Sequence, residues 1–195
     1  MNQEYINKAR KSINYGKHKT REPLLIVLMG LPGAGKSYLS NYLNKKYSFT
    51  ILSGENITFS IFGTEKCSGI QYKEAYRILQ FLATELLNQK YNVVIDGTNL
   101  KYEFRKQIYK AVGASIKILL IYLFTDDVVA LKRANSRGKN YDNSKMILSK
   151  CSPKTFAAFK TQLELPHKNE KYYRIKSDEM LFEKIDAILS DFSCK

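Results

Sequence analysis

Residues 24–37 read Leu-Leu-Ile-Val-Leu-Met-Gly-Leu-Pro-Gly-Ala-Gly-Lys-Ser. An apolar stretch with strand character runs straight into G-x-x-x-x-G-K-[ST], the pattern of a phosphate-binding P-loop. Each part has a mechanical reason to be there. Gly30, Gly33 and Gly35 permit a tight backbone path with its N–H groups turned inward, where a Cβ would obstruct them. Lys36 is placed to reach the β- and γ-phosphates, and Ser37 offers a hydroxyl to Mg²⁺. The helix that follows aims the positive end of its dipole at the same anion. Leu39, Tyr42, Leu43 and Tyr47 recur at the helical period, so the motif lies between a strand and an amphipathic helix, the context it requires.

Outward from this motif, composition sets the bounds. A chain of 195 residues, 44% hydrophobic, suits one domain with a sizeable core. No apolar run approaches the ~18 residues that cross a membrane, and Met-Asn-Gln-Glu-Tyr at the start lacks the charged-then-apolar pattern of a signal peptide. The lack of such a run predicts no membrane partner, and Cys67, Cys151 and Cys194, widely spaced, odd in number and without metal-ligand spacing, predict reduced thiols in a cytoplasmic setting. The net charge of +14 invites a polyanion, nucleic acid above all. The other reading is compositional habit, since Lys, Asn, Ile and Tyr are abundant together. The densest basic stretch, Lys8 to Arg21, sets residues 1–22 apart as a basic N-terminal segment ahead of a domain spanning 23–195. That segment is either a solvated arm or a short helix bearing Tyr5, Ala9 and Ile13 that packs beside the core.

Strand and helix patterns then alternate. Strands are expected at 49–53, 92–96, 116–124 and 172–176, and helices at 102–112, 126–137, 144–163 (interrupted near Ser152-Pro153) and 179–190. Gly54-Glu-Asn-Ile opens a loop or short helix. Residues 71–89 carry the clearest helical stripe: Tyr72, Ala75, Tyr76, Leu79, Leu82, Ala83 and Leu86. Its aromatics are expected in the core rather than as a base-stacking platform. The alternation implies an α/β fold of three layers, a five-stranded parallel sheet with helices on both faces and a helical lid. Ligands in such sheets bind past the C-terminal ends of the strands, and Gly30, Glu55 and Asp96 all fall there.

Phosphate transfer needs a metal holder, a carboxylate for the acceptor hydroxyl and cations over the transferring group. Asp96, ending its strand, reads as an indirect metal ligand, a substrate contact or the N-cap of the next helix, a role open equally to Thr98 and Asn99. Glu55 is the acid nearest the second strand, although a lone Glu in a loop is usually just solvated. Arg133 and Arg137 stand four apart on one helical face, ahead of Gly-Lys-Asn-Tyr-Asp-Asn at 138–143. They read either as a lid closing on phosphates or as two exposed cations of a basic protein.

Together these motifs resemble the small P-loop kinases grouped with polynucleotide 5′-hydroxyl kinase and the zeta-toxin-like kinases, from about residue 24 to residue 178. Gly-Leu-Pro-Gly-Ala-Gly-Lys-Ser at 30–37 is a common P-loop form in that group. Val94-Ile-Asp-Gly-Thr-Asn-Leu-Lys-Tyr-Glu-Phe-Arg105 is similar to its strand ending in an acid, then Thr-Asn, then a helical arginine. Leu131-Lys-Arg-Ala-Asn-Ser-Arg-Gly138 resembles a polynucleotide kinase lid, and Glu164-Leu-Pro166 with Glu170 a tail element of related members. The resemblance implies ATP and Mg²⁺ as cofactors. Gly30, Pro32, Gly33, Ala34, Gly35, Lys36, Ser37 and Tyr38 would cradle ATP, with Ser37 and Asp96 at the metal. Lys36, Glu55, Arg133 and Arg137 would be the catalytic set, and Thr98, Asn99 and Arg105 would shape the acceptor side. The sequence departs from the group at one place. Glu55 and Thr58 stand where its members usually carry a general-base Asp and, three residues on, an Arg.

The function this implies is ATP-dependent transfer of the γ-phosphate to a hydroxyl acceptor, a nucleic acid 5′-end or RNA being favoured by the charge. The alternatives are an ATP-binding regulatory or nucleic-acid-binding module with altered catalysis, and a zeta-like toxin kinase acting on a nucleotide sugar.

Overall fold

The computed structural model describes residues 1–64, 67–136 and 150–193. Helix α1 (Gln3–Lys11) precedes strand β1 (Leu24–Met29). There follow α2 (Lys36–Tyr47), β2 (Thr50–Ser53), α3 (Gly54–Phe62), α4 (Gly69–Asn88) and β3 (Val93–Asp96). The chain continues with α5 (Tyr102–Val112), β4 (Lys117–Phe124), α6 (Asp127–Asn135), α7 (Pro153–Lys160), β5 (Tyr172–Lys176) and α8 (Leu181–Ser193). All five strands join one parallel sheet in the order β2-β3-β1-β4-β5.

The central strand explains the three layers. Side chains alternate along a strand, and both faces of β1 are covered. Leu25, Val27 and Met29 join a cluster with Ile6 of α1, Ile57 of α3, Leu79 of α4 and Ile108 of α5. Leu24, Ile26 and Leu28 face Leu39 and Leu43 of α2 and Ile185 and Leu189 of α8. A strand buried on both faces reads as an unbroken apolar run. The chain leaves β1 for edge strand β2, returns through β3, then crosses to β4 on the other side of β1. Strand order therefore reverses at β1, and the crevice past its C-terminal end is where such a sheet binds ligands.

The N-terminal segment resolves into a helix. Ile6, Ala9 and Ile13 are buried in the same cluster as β1, while Tyr5 is half-buried and meets Phe62 edge-on at 5.4 Å. Beyond α1, the Ile51 amide donates to the Asn14 carbonyl at 2.8 Å, so the segment also covers the outer edge of β2.

Helix α4 begins at Gly69, two residues earlier than the stripe suggested, because Ser68 and Gln71 form a reciprocal capping box. Its core face is Ala75, Ile78, Leu79, Leu82, Ala83, Leu86 and Leu87, but Tyr72 is 50% exposed. Length explains this departure from the expected all-core stripe. The helix has 20 residues and spans about 30 Å, whereas β3 has 4 and spans about 13 Å. The first turns of α4 therefore overhang the C-terminal end of the sheet.

The expected helix at 144–163 is described only as α7, with Pro153 in its first turn. The segment 138–143, Arg137 and Cys194 lie outside the described residues. Cys67 and Cys151 are free thiols. No helix among the described residues is long and apolar enough to cross a membrane.

Candidate functional site

The P-loop spans the gap between β1 and α2 and is wedged against two other elements. Gly33 has φ +82°, and a Cβ there would lie 2.0 Å from the Ala130 carbonyl oxygen of α6. Gly35 has φ +95°, and its Cβ would lie 2.5 Å from Ser177 Oγ. Both positions favour glycine for backbone conformation, and Gly33 requires it for space as well, since the atom it would meet is backbone. The Gly30 amide donates to the Thr98 carbonyl at 3.1 Å and the Ala34 amide to that of Leu31 at 3.1 Å, while Pro32 and Ala34 are buried. Lys36 is 7% exposed, and its Nζ donates to the carbonyls of Gly30 and Leu31, each at 2.9 Å. A cation is thus held at the loop itself, at the N-terminus of α2, where an anion is favoured. Tyr38 is 65% exposed and its ring lies 4.9 Å from that of Phe182 on α8.

Behind Ser37, the polar residues are ordered. Ser40 Oγ lies 3.1 Å from the Ser37 carbonyl oxygen and 3.3 Å from Asp96 Oδ2. Asp96 ends β3 at 5% exposure, in register with Ser53 of β2. A buried carboxylate beside a helix that starts with a serine hydroxyl supplies the hard oxygen donors that suit Mg²⁺. Among the described residues, no group of three or more His, Cys, Asp and Glu could hold a metal.

The acceptor-side residues divide. Thr98 is half-buried at the site, its carbonyl holding Gly30. Asn99 is spent inside the fold. At φ 44° and 4% exposure, its Nδ2 donates to the Leu28 carbonyl at 2.7 Å and its Oδ1 accepts from the Tyr76 hydroxyl at 2.8 Å. It tethers the end of β3 to the end of β1. Arg105 is also removed from the substrate set, since it is fully buried. Its Nε and Nη2 donate to Glu170 at 2.8 and 2.9 Å, and its Nη1 to the carbonyls of Asn99 and Leu100 at 3.0 and 2.9 Å. Glu170 also accepts from the Tyr109 hydroxyl at 2.7 Å and the His167 amide at 2.8 Å. Burial works to raise the Glu170 pKa, but the Arg105, His167 and Tyr109 bonds outweigh it and hold the carboxyl below its ordinary range. Burial pushes the Tyr109 and Tyr76 hydroxyls up. Nor does Asp96, Thr98 or Asn99 cap the next helix. Lys101 is its N-cap residue, and Glu164 accepts from the Tyr102 amide at 2.7 Å.

Glu55 is exposed in the first turn of α3, which starts at the end of β2 and so opens beside Asp96. Thr58, at the position of the family arginine, is 5% exposed, with its hydroxyl turned back onto the Gly54 carbonyl at 2.7 Å. Arg133 is exposed on α6, one turn beyond Ala130, whose carbonyl abuts Gly33, so the helix that touches the P-loop carries it. Leu31 of the loop packs against Ala130, Ala134 and Phe156, seating α6 and α7 on the same loop. Arg137 lies outside the described residues. Sequence reasoning missed Ser40, Tyr76 and Ser177, whose partners lie 56, 23 and 142 residues away.

Residues 25–166 match the family described as AAA domain, and the chain belongs to that family. The L-seryl-tRNA(Sec) kinase of Methanococcus maripaludis is 31% identical over 128 residues, which cover 62% of this chain and 48% of that protein. The chain therefore spans about half the length of that curated relative. The APS kinase CysC of Mycobacterium tuberculosis, in complex with AMPPNP and APS, superposes with a TM-score of 0.62 at 17% identity, over 88% of this chain and 98% of that one. A chain of the Pnkp1/Rnl/Hen1 RNA repair complex superposes with a TM-score of 0.61 at 20% identity, over 75% of this chain and 46% of that one. These likenesses establish the P-loop kinase fold, as the sequence resemblance implied.

Proposed function

We propose that this member of the AAA domain family is an ATP-dependent kinase that transfers the γ-phosphate to a hydroxyl of an RNA or other nucleic acid acceptor. The observation that carries the reading is the P-loop lysine. Lys36 is held 2.9 Å from two loop carbonyls, beside α2 and backed by the Ser40–Asp96 pair. That arrangement suits a triphosphate, because a glycine-rich loop, a helix N-terminus and a fixed cation meet there.

The acceptor oxygen attacks the γ-phosphorus in line, the bond to the β–γ bridging oxygen breaks, and ADP leaves. Glu55 takes the acceptor proton or orients the hydroxyl from the first turn of α3. Lys36, with Arg133 from α6, offsets the negative charge that spreads over the transferring group. Ser37 and Asp96 would hold Mg²⁺ brought in with ATP, which neutralises phosphate charge when bound. Nucleic acid is favoured as acceptor by the net charge of +14 and by the relative whose name places its action on a seryl-tRNA.

A second reading is supported by Thr58. A neutral threonine leaves no cation at the position that the resembled group fills with arginine, which fits an ATP-binding module with altered catalysis. A screen with γ-labelled ATP against RNA, DNA, nucleosides, sugars and nucleotide sugars separates the two. Label in RNA supports the proposal. Label only in a small acceptor overturns the nucleic acid part. ATP binding with no labelled product selects the second reading.

A further inference from the structure

The overhanging end of α4 and the first turn of α5 together form an aromatic and basic surface beside the acceptor side of the site. Tyr72 and Tyr76 are one turn apart on the stripe that packs into the core lower down α4. Tyr72 is 50% exposed. The Tyr76 ring lies 5.4 Å from that of Phe104 on α5, and Phe104 is 40% exposed. Their placement relative to the P-loop is fixed by direct contacts. The Tyr76 hydroxyl bonds Asn99, Asn99 bonds the Leu28 carbonyl at the end of β1, and the adjacent Thr98 bonds Gly30.

The cations alongside follow from helical geometry. Lys73, Arg77 and Thr84 fall on one row of α4, and Thr84 Oγ1 donates to the Ala111 carbonyl of α5 at 3.2 Å. That row therefore runs along α5, and its members Lys73 and Arg77 are exposed, Arg77 in a surface pair with Glu74 at 3.4 Å. Lys101 is the N-cap residue of α5, two residues after Asn99. Stacking faces interleaved with cations are what a single-stranded nucleic acid requires: rings for its bases and charge for its phosphates. A small sugar acceptor offers neither.

We infer that Phe104, with Tyr72 one helical turn from its neighbour Tyr76, stacks a base of a single-stranded RNA acceptor next to the phosphorylated end, while Lys73, Arg77 and Lys101 contact its phosphates. This rests on the kinase reading above and names the residues that select its acceptor. The test measures transfer from γ-labelled ATP to a short 5′-hydroxyl RNA, intact or abasic at one of its first two nucleotides. Phe104→Ala is expected to raise the KM for intact RNA about tenfold, with the KM for ATP unchanged, and Phe104→Trp to restore it. Wild type is expected to discriminate against the abasic RNA by a similar factor, a preference that Phe104→Ala abolishes. The unchanged KM for ATP shows that the variant is folded. If Phe104→Ala and Tyr72→Ala phosphorylate RNA with wild-type KM, the stacking surface is wrong and the kinase reading stands. If wild type labels a sugar or nucleoside but no RNA, the stacking surface falls with the nucleic acid part of that reading. If nothing is labelled, the kinase reading itself fails.

Discussion

At the scale of single residues, the site is a set of groups with separable duties. Lys36 carries its charge on the P-loop and contributes nothing to the apolar clusters, so its loss is expected to spare the fold. Lys36→Ala is expected to lower turnover by ~100-fold or more and to weaken ATP binding, with an unchanged far-UV circular dichroism spectrum. Calorimetric titration with a non-hydrolysable ATP analogue checks it, and wild-type affinity would refute the assignment. In the proposed mechanism Glu55 would act on the acceptor, not on ATP. Glu55→Gln should therefore cut kcat by ~100-fold or more while leaving the ATP dissociation constant near wild type. If turnover survives, the reaction proceeds by positioning alone.

At the scale of elements, the Arg105–Glu170 pair clasps the start of α5 to the segment ahead of β5. Side chains at 0% and 2% exposure make it a buried ion pair. Breaking such a pair by removing one charge costs about 3–5 kcal/mol, since the other is left without compensation. Glu170→Gln is thus expected to lower the melting temperature by about 10 °C in a domain of this size. The pH dependence has a definite sign. The folded Glu170 carboxyl titrates below its ordinary value of 4.5, so its contribution is fully present above that value. It is lost as pH falls through the lowered folded value. Melting curves from pH 7 to pH 3 should fall more steeply for wild type than for Glu170→Gln, and parallel curves would exclude the assignment. Helix α6 is the other instructive element. Ala130 braces Gly33, so Arg133 rides on a helix anchored to the P-loop. Arg133→Ala should lower kcat more than it raises the dissociation constant for ADP, because the added charge develops on the transferring phosphoryl group.

At the scale of the whole molecule, the excess of cations and the N-terminal segment are tied together. Ile6, Ala9 and Ile13 sit in the core cluster of β1, so residues 1–20 are not a detachable basic arm. Deleting them should destabilise the domain by several kcal/mol, since each buried aliphatic side chain contributes about 1.5–3 kcal/mol. Chemical denaturation reads that loss directly. The charge is better tested by replacing exposed cations such as Lys17 and Lys19 with Gln. Binding to single-stranded RNA should weaken with salt by about 0.7 log units per log unit of salt for each phosphate neutralised. The double variant should have a shallower slope and unchanged ATP affinity. No binding at low salt would identify the charge as compositional habit.

The P-loop, the parallel sheet and its two helical layers were legible in the sequence because their signals are local. A glycine pattern, an apolar run and a helical stripe each express the physics of consecutive residues. The roles of Asn99 and Arg105 were not legible. Both are polar side chains in a segment that resembles an acceptor site, and only the contact of Arg105 with Glu170, 65 residues away, reveals a buried clasp. The position of Tyr72 was hidden for the opposite reason. Its place on the stripe is local, but whether that stripe meets the core depends on the sheet being shorter than the helix. Sequence by itself determined the phosphate cradle and the architecture around it, because backbone conformation and hydrophobic periodicity are set over a few residues. Tertiary structure alone decided which polar groups are spent inside the fold and which aromatics are left exposed. Burial and ion pairing depend on partners that the chain brings together only when it folds.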